Sequence, residues 1–293
     1  MPYIQIEMFY NCYNLSFIDA PQVNTISRNA FINCTSLYNL SFPSLKNIGE
    51  SAFNTYQGLV EADFPSISTI SSKAFYQCPN LISFSSNSCT SVGSYAFYEC
   101  PNLITFSAQN CTSIGSYAFA GCPKLVNLFI ENVTFVGIFA FNNCSNLETI
   151  NFPNLYEIGG RAFSYTAIKK VELNSVTIAS SYTSDDTKYG GQFKGCLSLT
   201  HVSMEKLSYV QIQMFYGCQN LIYVDMPILQ NINNQGFYSC YSLSNLSFPK
   251  LVTIGEQSFY ASPCLVDVNF PLVTSISYYA FAYCRNLVSF SAE

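Results

Sequence analysis

A phenylalanine recurs every 22 residues along nearly the whole chain. Phe9, Phe31, Phe53, Phe75, Phe97, Phe119, Phe141 and Phe163 form one series, and Phe193, Phe215, Phe237, Phe259 and Phe281 form a second. Only the step from Phe163 to Phe193 departs from the period; it is 30 residues. Within one unit, apolar residues follow Phe31 at Leu37, Leu40, Phe42, Leu45, Ile48 and Ala52. Leu40 and Phe42 alternate with Asn39 and Ser41, and period-two alternation predicts a short strand with one buried face. A fixed period of this length means stacked supersecondary units, each burying its apolar side on its neighbours. One strand per unit, all in the same direction, predicts a long parallel sheet. Ile48-Gly49 reads as a turn, and Ser51-Ala52-Phe53 predicts a short helix or 3₁₀ turn opposite the sheet. Pro21, Pro43, Pro65, Pro153, Pro227, Pro249 and Pro271 follow the strands, where a residue without an N–H ends ladder pairing.

The chain, residues 1–293, therefore reads as a single solenoid. Its one irregular repeat lies between Phe163 and Phe193: one residue is missing before Val171, and about nine are added in a polar insertion near 177–191. Ser180-Ser181-Tyr182-Thr183-Ser184-Asp185-Asp186-Thr187-Lys188 is expected to leave the solenoid, as a binding element or a tolerated loop.

Composition narrows the function. Hydrophobic residues make up 49% of the chain, enough to fill a core. Charged residues make up only 10%, against roughly 25% in ordinary soluble domains, so Ser, Asn, Thr and Tyr must dress the surface. The net charge of −5 and the absence of a Lys/Arg cluster argue against nucleic acid. No apolar run is long enough for a spanning helix; the most apolar stretch, Leu125 to Phe141, is broken by Asn127, Glu131, Asn132 and Thr134. The start, Met1-Pro2-Tyr3-Ile4, has neither the basic nor the apolar region of a signal peptide.

The stretch Leu37-x-x-Leu40-x-Phe42-x-x-Leu45 follows the leucine-rich repeat pattern with a shortened tail. The fuller string I-G-x-x-A-F-x-x-C-x-x-L-x-x-[VLF]-x-F-P resembles the BspA-type leucine-rich repeat. Ile114-Gly115-Ser116-Tyr117-Ala118-Phe119-Ala120-Gly121-Cys122 and Ile254-Gly255 through Phe259 carry it, and it recurs from Ile4 to Ala292. The resemblance implies an α/β leucine-rich repeat solenoid of 13 repeats of 22 residues, with a curved parallel β-sheet on the concave face and short helical or 3₁₀ turns on the other. It also implies a surface or secreted protein, of the kind found in host-associated bacteria and some parasitic protists, that acts in adhesion without enzymatic activity. The chain departs from that pattern in lacking an export signal and an anchor.

Ten of the thirteen cysteines fill one slot, three residues after the phenylalanine: Cys12, Cys34, Cys78, Cys100, Cys122, Cys144, Cys196, Cys218, Cys240 and Cys284. Tyr56, Thr166 and Ser262 fill it elsewhere. Slots in neighbouring repeats lie about 5 Å apart, within reach of a disulfide. Side chains in register point the same way, however, which favours a ladder of buried free thiols acting as small apolar fillers. Cys89 and Cys111 replace a core leucine, and Cys264, off the pattern, is the expected exposed thiol. No C-x₂-C pair suggests zinc, and no cofactor is expected.

Strand residues facing away from the core give two columns, mostly small and polar. Phe17, Phe129 and Tyr223 stand out as aromatic contact candidates. Asp19, Glu61, Asp63, Glu131, Lys170, Glu172, His201, Asp225 and Asp267 supply the charged candidates on this face. Glu61 with Asp63 reads as an acidic patch with too few ligands for calcium. His201 is the only histidine; Ser203, Asp225, Glu172 and Tyr223 lie near it across strands, yet no nucleophile elbow or oxyanion site accompanies them. The leading expectation is a non-catalytic binding module that takes a protein or glycan on its concave face. The alternative is a spacer or stalk within a larger surface protein. Neither end shows a polar capping repeat, which predicts end-to-end self-association.

Overall fold

The structure is a computed structural model that describes residues 2–37, 39–180, 190–244 and 246–292, with the side chains of Asn39 and Ser41 left out. The expected excursion therefore lies mostly outside the described residues. The chain forms two compact units, Met1–Leu147 and Glu148–Glu293.

In the first unit each repeat contributes two strands, not one. Three-residue strands pair in parallel, Phe17–Asp19 with Asn39–Ser41, and Glu61–Asp63, Ser83–Ser85, Thr105–Ser107 and Asn127–Phe129 in one sheet. Two-residue strands form the second row: Tyr3–Ile4, Thr25–Ile26, Asn47–Ile48, Thr69–Ile70, Ser91–Val92, Ser113–Ile114 and Phe135–Val136. The register follows the period: Phe106 sits between Phe84 and Leu128. The segment read as an Ile-Gly turn thus begins with a ladder strand. Two residues are too short to show alternation.

The second unit repeats the plan. Lys170–Glu172, His201–Ser203 and Tyr223–Asp225 form one row of long strands, and Asp267–Asn269 pairs with Ser289–Ser291. Glu157–Ile158 pairs with Ile178–Ala179, and Tyr209–Val210, Asn231–Ile232, Thr253–Ile254 and Ser275–Ile276 form a short-strand sheet. The irregular repeat shows in the register. Glu157 faces Ile178, a step of 21, and Lys170 faces His201, a step of 31. Phe163 and Phe193 still stack, with ring centroids 5.5 Å apart. The extra residues are accommodated without displacing the core.

The expected helical or 3₁₀ turns are absent among the described residues, so the α/β assignment is corrected to an all-β solenoid. The reason lies in the backbone around each phenylalanine. Residues two before and two after it have positive φ, from Glu7 and Asn11 to Tyr279 and Tyr283. Around Phe53, the N–H groups of Ser51, Phe53 and Thr55 donate to Ser72, Ala74 and Tyr76 of the next repeat, at 3.1, 2.9 and 2.8 Å. The N–H groups of Ala52, Asn54 and Tyr56 instead turn back onto Gly49, Ser51 and Phe53, at 3.3, 3.2 and 3.1 Å. A 3₁₀ helix needs successive i→i+3 bonds, whereas here they occur at every second residue. Left-handed φ costs a non-glycine residue roughly 1–2 kcal/mol. It is held because it turns alternate donors toward the neighbouring repeat and leaves few buried N–H groups unpaired.

The core of each unit is a column of phenylalanine rings. Phe31, Phe53, Phe75, Phe97, Phe119 and Phe141 are fully buried, with successive centroids 5.1–5.4 Å apart and planes within 8°. The second unit stacks Phe163, Phe193, Phe215, Phe237, Phe259 and Phe281 at 5.1–5.7 Å. Beside this column, slot thiols donate to the phenylalanine carbonyl of the preceding repeat: Cys122 to Phe97 at 3.0 Å, Cys144 to Phe119 at 3.1 Å, Cys218 to Phe193 at 3.1 Å. The Phe119 carbonyl also accepts the N–H of Cys122 at 3.2 Å, so the thiol of Cys144 is a second donor to the same buried oxygen. Ser262 keeps the arrangement, its hydroxyl 3.5 Å from the Phe237 carbonyl. Tyr56 fills the slot differently: its hydroxyl donates to the Leu37 carbonyl at 2.5 Å. Gly58 makes that possible, since a Cβ there would lie 1.5 Å from the Leu37 oxygen.

Candidate ligand-binding face

The long strands alternate burial as their sequences direct. In Glu61–Asp63, Lys170–Glu172 and Asp267–Asn269 the central residue is buried and both flanks are exposed. Ala62, Val171 and Val268 anchor these strands to the core, so their neighbours must point outward. Phe17 and Asp19 are exposed on one strand, and Phe129 ends another. Glu131 does not lie on the sheet; it is exposed in the turn beyond Phe129, because the strand ends there. In the second unit Lys170, Glu172, His201, Tyr223 and Asp267 are exposed, and Asp225 is half-buried. Residues 149–151 and 246–247, which the pattern assigns to strands, form none.

The aromatic candidates differ from the small polar and charged residues of the outward strand positions. Phe17 is 62% exposed, Phe129 52% and Tyr223 46%. Elsewhere on the long strands small polar residues are hydrogen-bonded: Ser85 donates to Asp63 at 2.5 Å, Asn127 to Thr105 at 3.3 Å, and Ser289 to Asp267 at 2.5 Å. Lys170 pairs with Glu172. These links run between repeats or along a strand and hold the polar groups in a flat, ordered array.

The residues around His201 are not arranged for catalysis. His201 Nδ1 contacts Thr200 Oγ1 at 2.9 Å, and Ser203 donates its hydroxyl to Asn174 at 2.8 Å, away from the imidazole. Register places Tyr223 opposite His201 and Asp225 opposite Ser203, so the acid has no path to the ring that would orient a base. Among the described residues no group of three His, Cys, Asp or Glu side chains converges as a metal site.

One feature of the face escaped the sequence reading. Val60, Ile82, Ile104 and Val126 each precede a long strand and are 38–46% exposed. They form an apolar stripe beside the polar columns, and Val60, Ile82 and Ile104 line a groove of about 380 Å³ completed by Asn80, Asn102 and Lys124. The signal was present as a β-branched residue recurring at the period. Lys124 donates to Asn102 at 2.7 Å, and Asn102 to the Pro79 carbonyl at 2.7 Å, bracing the polar rim.

The sequence matches the family described as BspA type leucine rich repeat region (6 copies) over residues 2–125, 68–189 and 190–288. The chain belongs to the BspA-type leucine-rich repeat family. No curated protein sequence matches it. Among solved structures, it is similar to a leucine-rich repeat protein from Bacteroides ovatus ATCC 8483, at 28% identity and a TM-score of 0.74, covering 97% of this chain and 80% of that one. A leucine rich cell surface protein from Faecalibacterium prausnitzii A2-165 matches at 19% identity and a TM-score of 0.37, covering 80% of this chain and 87% of that one. As a BspA-type repeat protein the chain is non-catalytic. Among its described residues no helix is long and apolar enough to cross a membrane.

Proposed function

We propose that this BspA-type chain is a binding module that takes a protein or glycan partner on its long-strand face, at a cell surface or outside the cell. The observation that carries the reading is the exposure of Phe17 and Phe129 on long strands of the first unit and of Tyr223 on a long strand of the second, in rows otherwise made mostly of small polar and charged residues. A rigid array of polar groups costs little conformational entropy on binding, and isolated large aromatics supply the contact energy. Family membership and the repeat fold support the reading, and resemblance to surface and secreted repeat proteins supports the location.

The test is selection of binders from a peptide display library and a glycan array, using the purified chain. Phe129→Ser and Tyr223→Ser variants, shown to be folded by circular dichroism, are screened in parallel. The expected result is a set of binders that the variants lose. A chain that selects nothing, or selects binders indifferent to both substitutions, contradicts the proposal.

A further inference from the structure

In the second unit the described long strands form two groups. Tyr223–Asp225 pairs with His201–Ser203 on one side, Asp267–Asn269 pairs with Ser289–Ser291 on the other, and residues 246–247 between them form no strand. A cavity of about 360 Å³ opens beside residues 246–247. Its lining brings together the Tyr223 ring, the Asp225 and Asp267 side chains and two prolines, Pro227 and Pro249. Among the described residues, ion pairs link Lys169 to Glu148 and Lys170 to Glu172, and neither Asp225 nor Asp267 takes part in one. Asp267 accepts the Ser289 hydroxyl, a neutral partner. Lys250, next to Pro249, is exposed and forms no ion pair with either aspartate.

A half-exposed aromatic ring, two carboxylates without a cation and apolar proline walls form one recognition set. The ring attracts a cation through its π face. The carboxylates accept charge-assisted hydrogen bonds from a guanidinium or ammonium group. The prolines suit the aliphatic stem that carries such a group. The size falls within the range of ligand cavities. We propose that this cavity holds a cationic side chain, arginine or lysine, on an extended segment of a protein partner. The proposal rests on the binding-module reading and names the partner chemistry for this part of the face. A neutral glycan offers the two carboxylates only neutral hydroxyl donors, without the charge-assisted bonds a cation supplies.

The test uses the whole chain and three capped tripeptides, acetyl-Gly-Arg-Gly-amide, its lysine counterpart and its citrulline counterpart. Each is titrated by amide NMR against wild type, the Asp225→Asn/Asp267→Asn double variant and Tyr223→Leu. The arginine or lysine peptide is expected to shift amides within 223–227 and 246–250 saturably, and less at high salt. Citrulline binding is expected to be roughly tenfold weaker, as is binding of the charged peptides to the double variant, from the loss of two partly exposed charge contacts. Tyr223→Leu is expected to weaken the charged peptides by a few-fold. Equal binding of the citrulline peptide, unchanged binding to the double variant, or no shift with any peptide overturns the proposal. Spermidine that binds where the peptides do not overturns it in favour of a small-molecule cation. If the titration fails while library binders still depend on Phe129, only the cavity assignment falls. If no binder is selected at all, the binding reading falls with it.

Discussion

Phe119 is held on every side, and its removal gives the sharpest measure of how the stack is stabilised. Its ring lies 5.2 Å from Phe97 and 5.1 Å from Phe141, nearly parallel to both, with Phe106 edge-on at 4.8 Å. It is fully buried. Phe119→Ala removes the ring and leaves a cavity whose walls are themselves stacked rings tied to the backbone ladder, so little collapse is expected. The cost should lie near the upper part of the roughly 3–5 kcal/mol range for Phe→Ala in a core. Phe281 offers the comparison. It stacks on Phe259 at 5.1 Å and meets Phe290 edge-on at 5.6 Å, but it is only half-buried, and Phe290 is 40% exposed. Phe281→Ala should cost roughly half as much, since hydrophobic stabilisation scales with the apolar area removed from water. Urea unfolding followed by circular dichroism and tyrosine fluorescence measures both. Solenoid stability is a sum of repeat and neighbour terms, so the slope with denaturant must also be compared, because a lower slope signals partial unfolding. Equal losses at the two positions with unchanged slopes would refute the idea that each ring is stabilised by the repeats on either side.

Further expectations follow from the slots and turns. Gly58→Ala should destabilise severely, because its Cβ would overlap the Leu37 carbonyl; a thermal melt within a degree or two of wild type would show that the turn yields. Burial pushes the thiols of Cys196 and Cys144 up from 9.0 to about 11 and about 12. A raised folded pKa means the unfolded chain releases these protons first, so stability should hold below pH 9 and fall as pH rises toward 12, by about 1.4 kcal/mol per pH unit per thiol. Melting temperature against pH in reductant checks this, and a flat curve above pH 9 would contradict it. In the folded protein one thiol, Cys264, should react rapidly with a disulfide reagent, and half-buried Cys12 more slowly. Denaturation without reductant should release the rest as free thiols, and mass mapping of several disulfides would overturn the thiol ladder. Cys122→Ser should retain the bond to the Phe97 carbonyl, as Ser262 does with Phe237, and be more stable than Cys122→Ala by about 1 kcal/mol; the reverse order would refute the hydrogen-bonding role.

Much of the fold was legible because a 22-residue period repeats the same physical demand. The buried phenylalanine column, the outward flanks of Glu61–Asp63 and the parallel register could be read from spacing alone. The turn ladder could not. Ala52-Phe53 has the local composition of a helical turn, and nothing at Lys73, Tyr117 or Gln213 announces a left-handed backbone as glycine or asparagine does. That conformation is imposed by bonds to the next repeat, which a local reading does not see. The second strand was hidden by its length. On the candidate face, Phe17, Phe129 and Tyr223 were visible as departures from small polar residues. Glu131, expected on the face, lies two residues beyond the end of its strand. The stripe of Val60, Ile82, Ile104 and Val126 was passed over because exposed aliphatics beside a strand look like ordinary core positions. The cavity at Tyr223 is lined in part by residues 246–247, which form no strand although their pattern suits one.

Hydroxyl-radical footprinting of the chain with and without a selected binder tests the binding face most directly, because oxidation reports side-chain exposure at tyrosine and phenylalanine. Phe17, Phe129 and Tyr223 start exposed on the long-strand face, while Tyr165 and Tyr279 are exposed on the turn ladder. The binder is expected to protect one or more of the first group and to leave Tyr165 and Tyr279 oxidised as before. Protection confined to the tyrosines of the turn ladder, with Phe129 and Tyr223 unchanged, would contradict it.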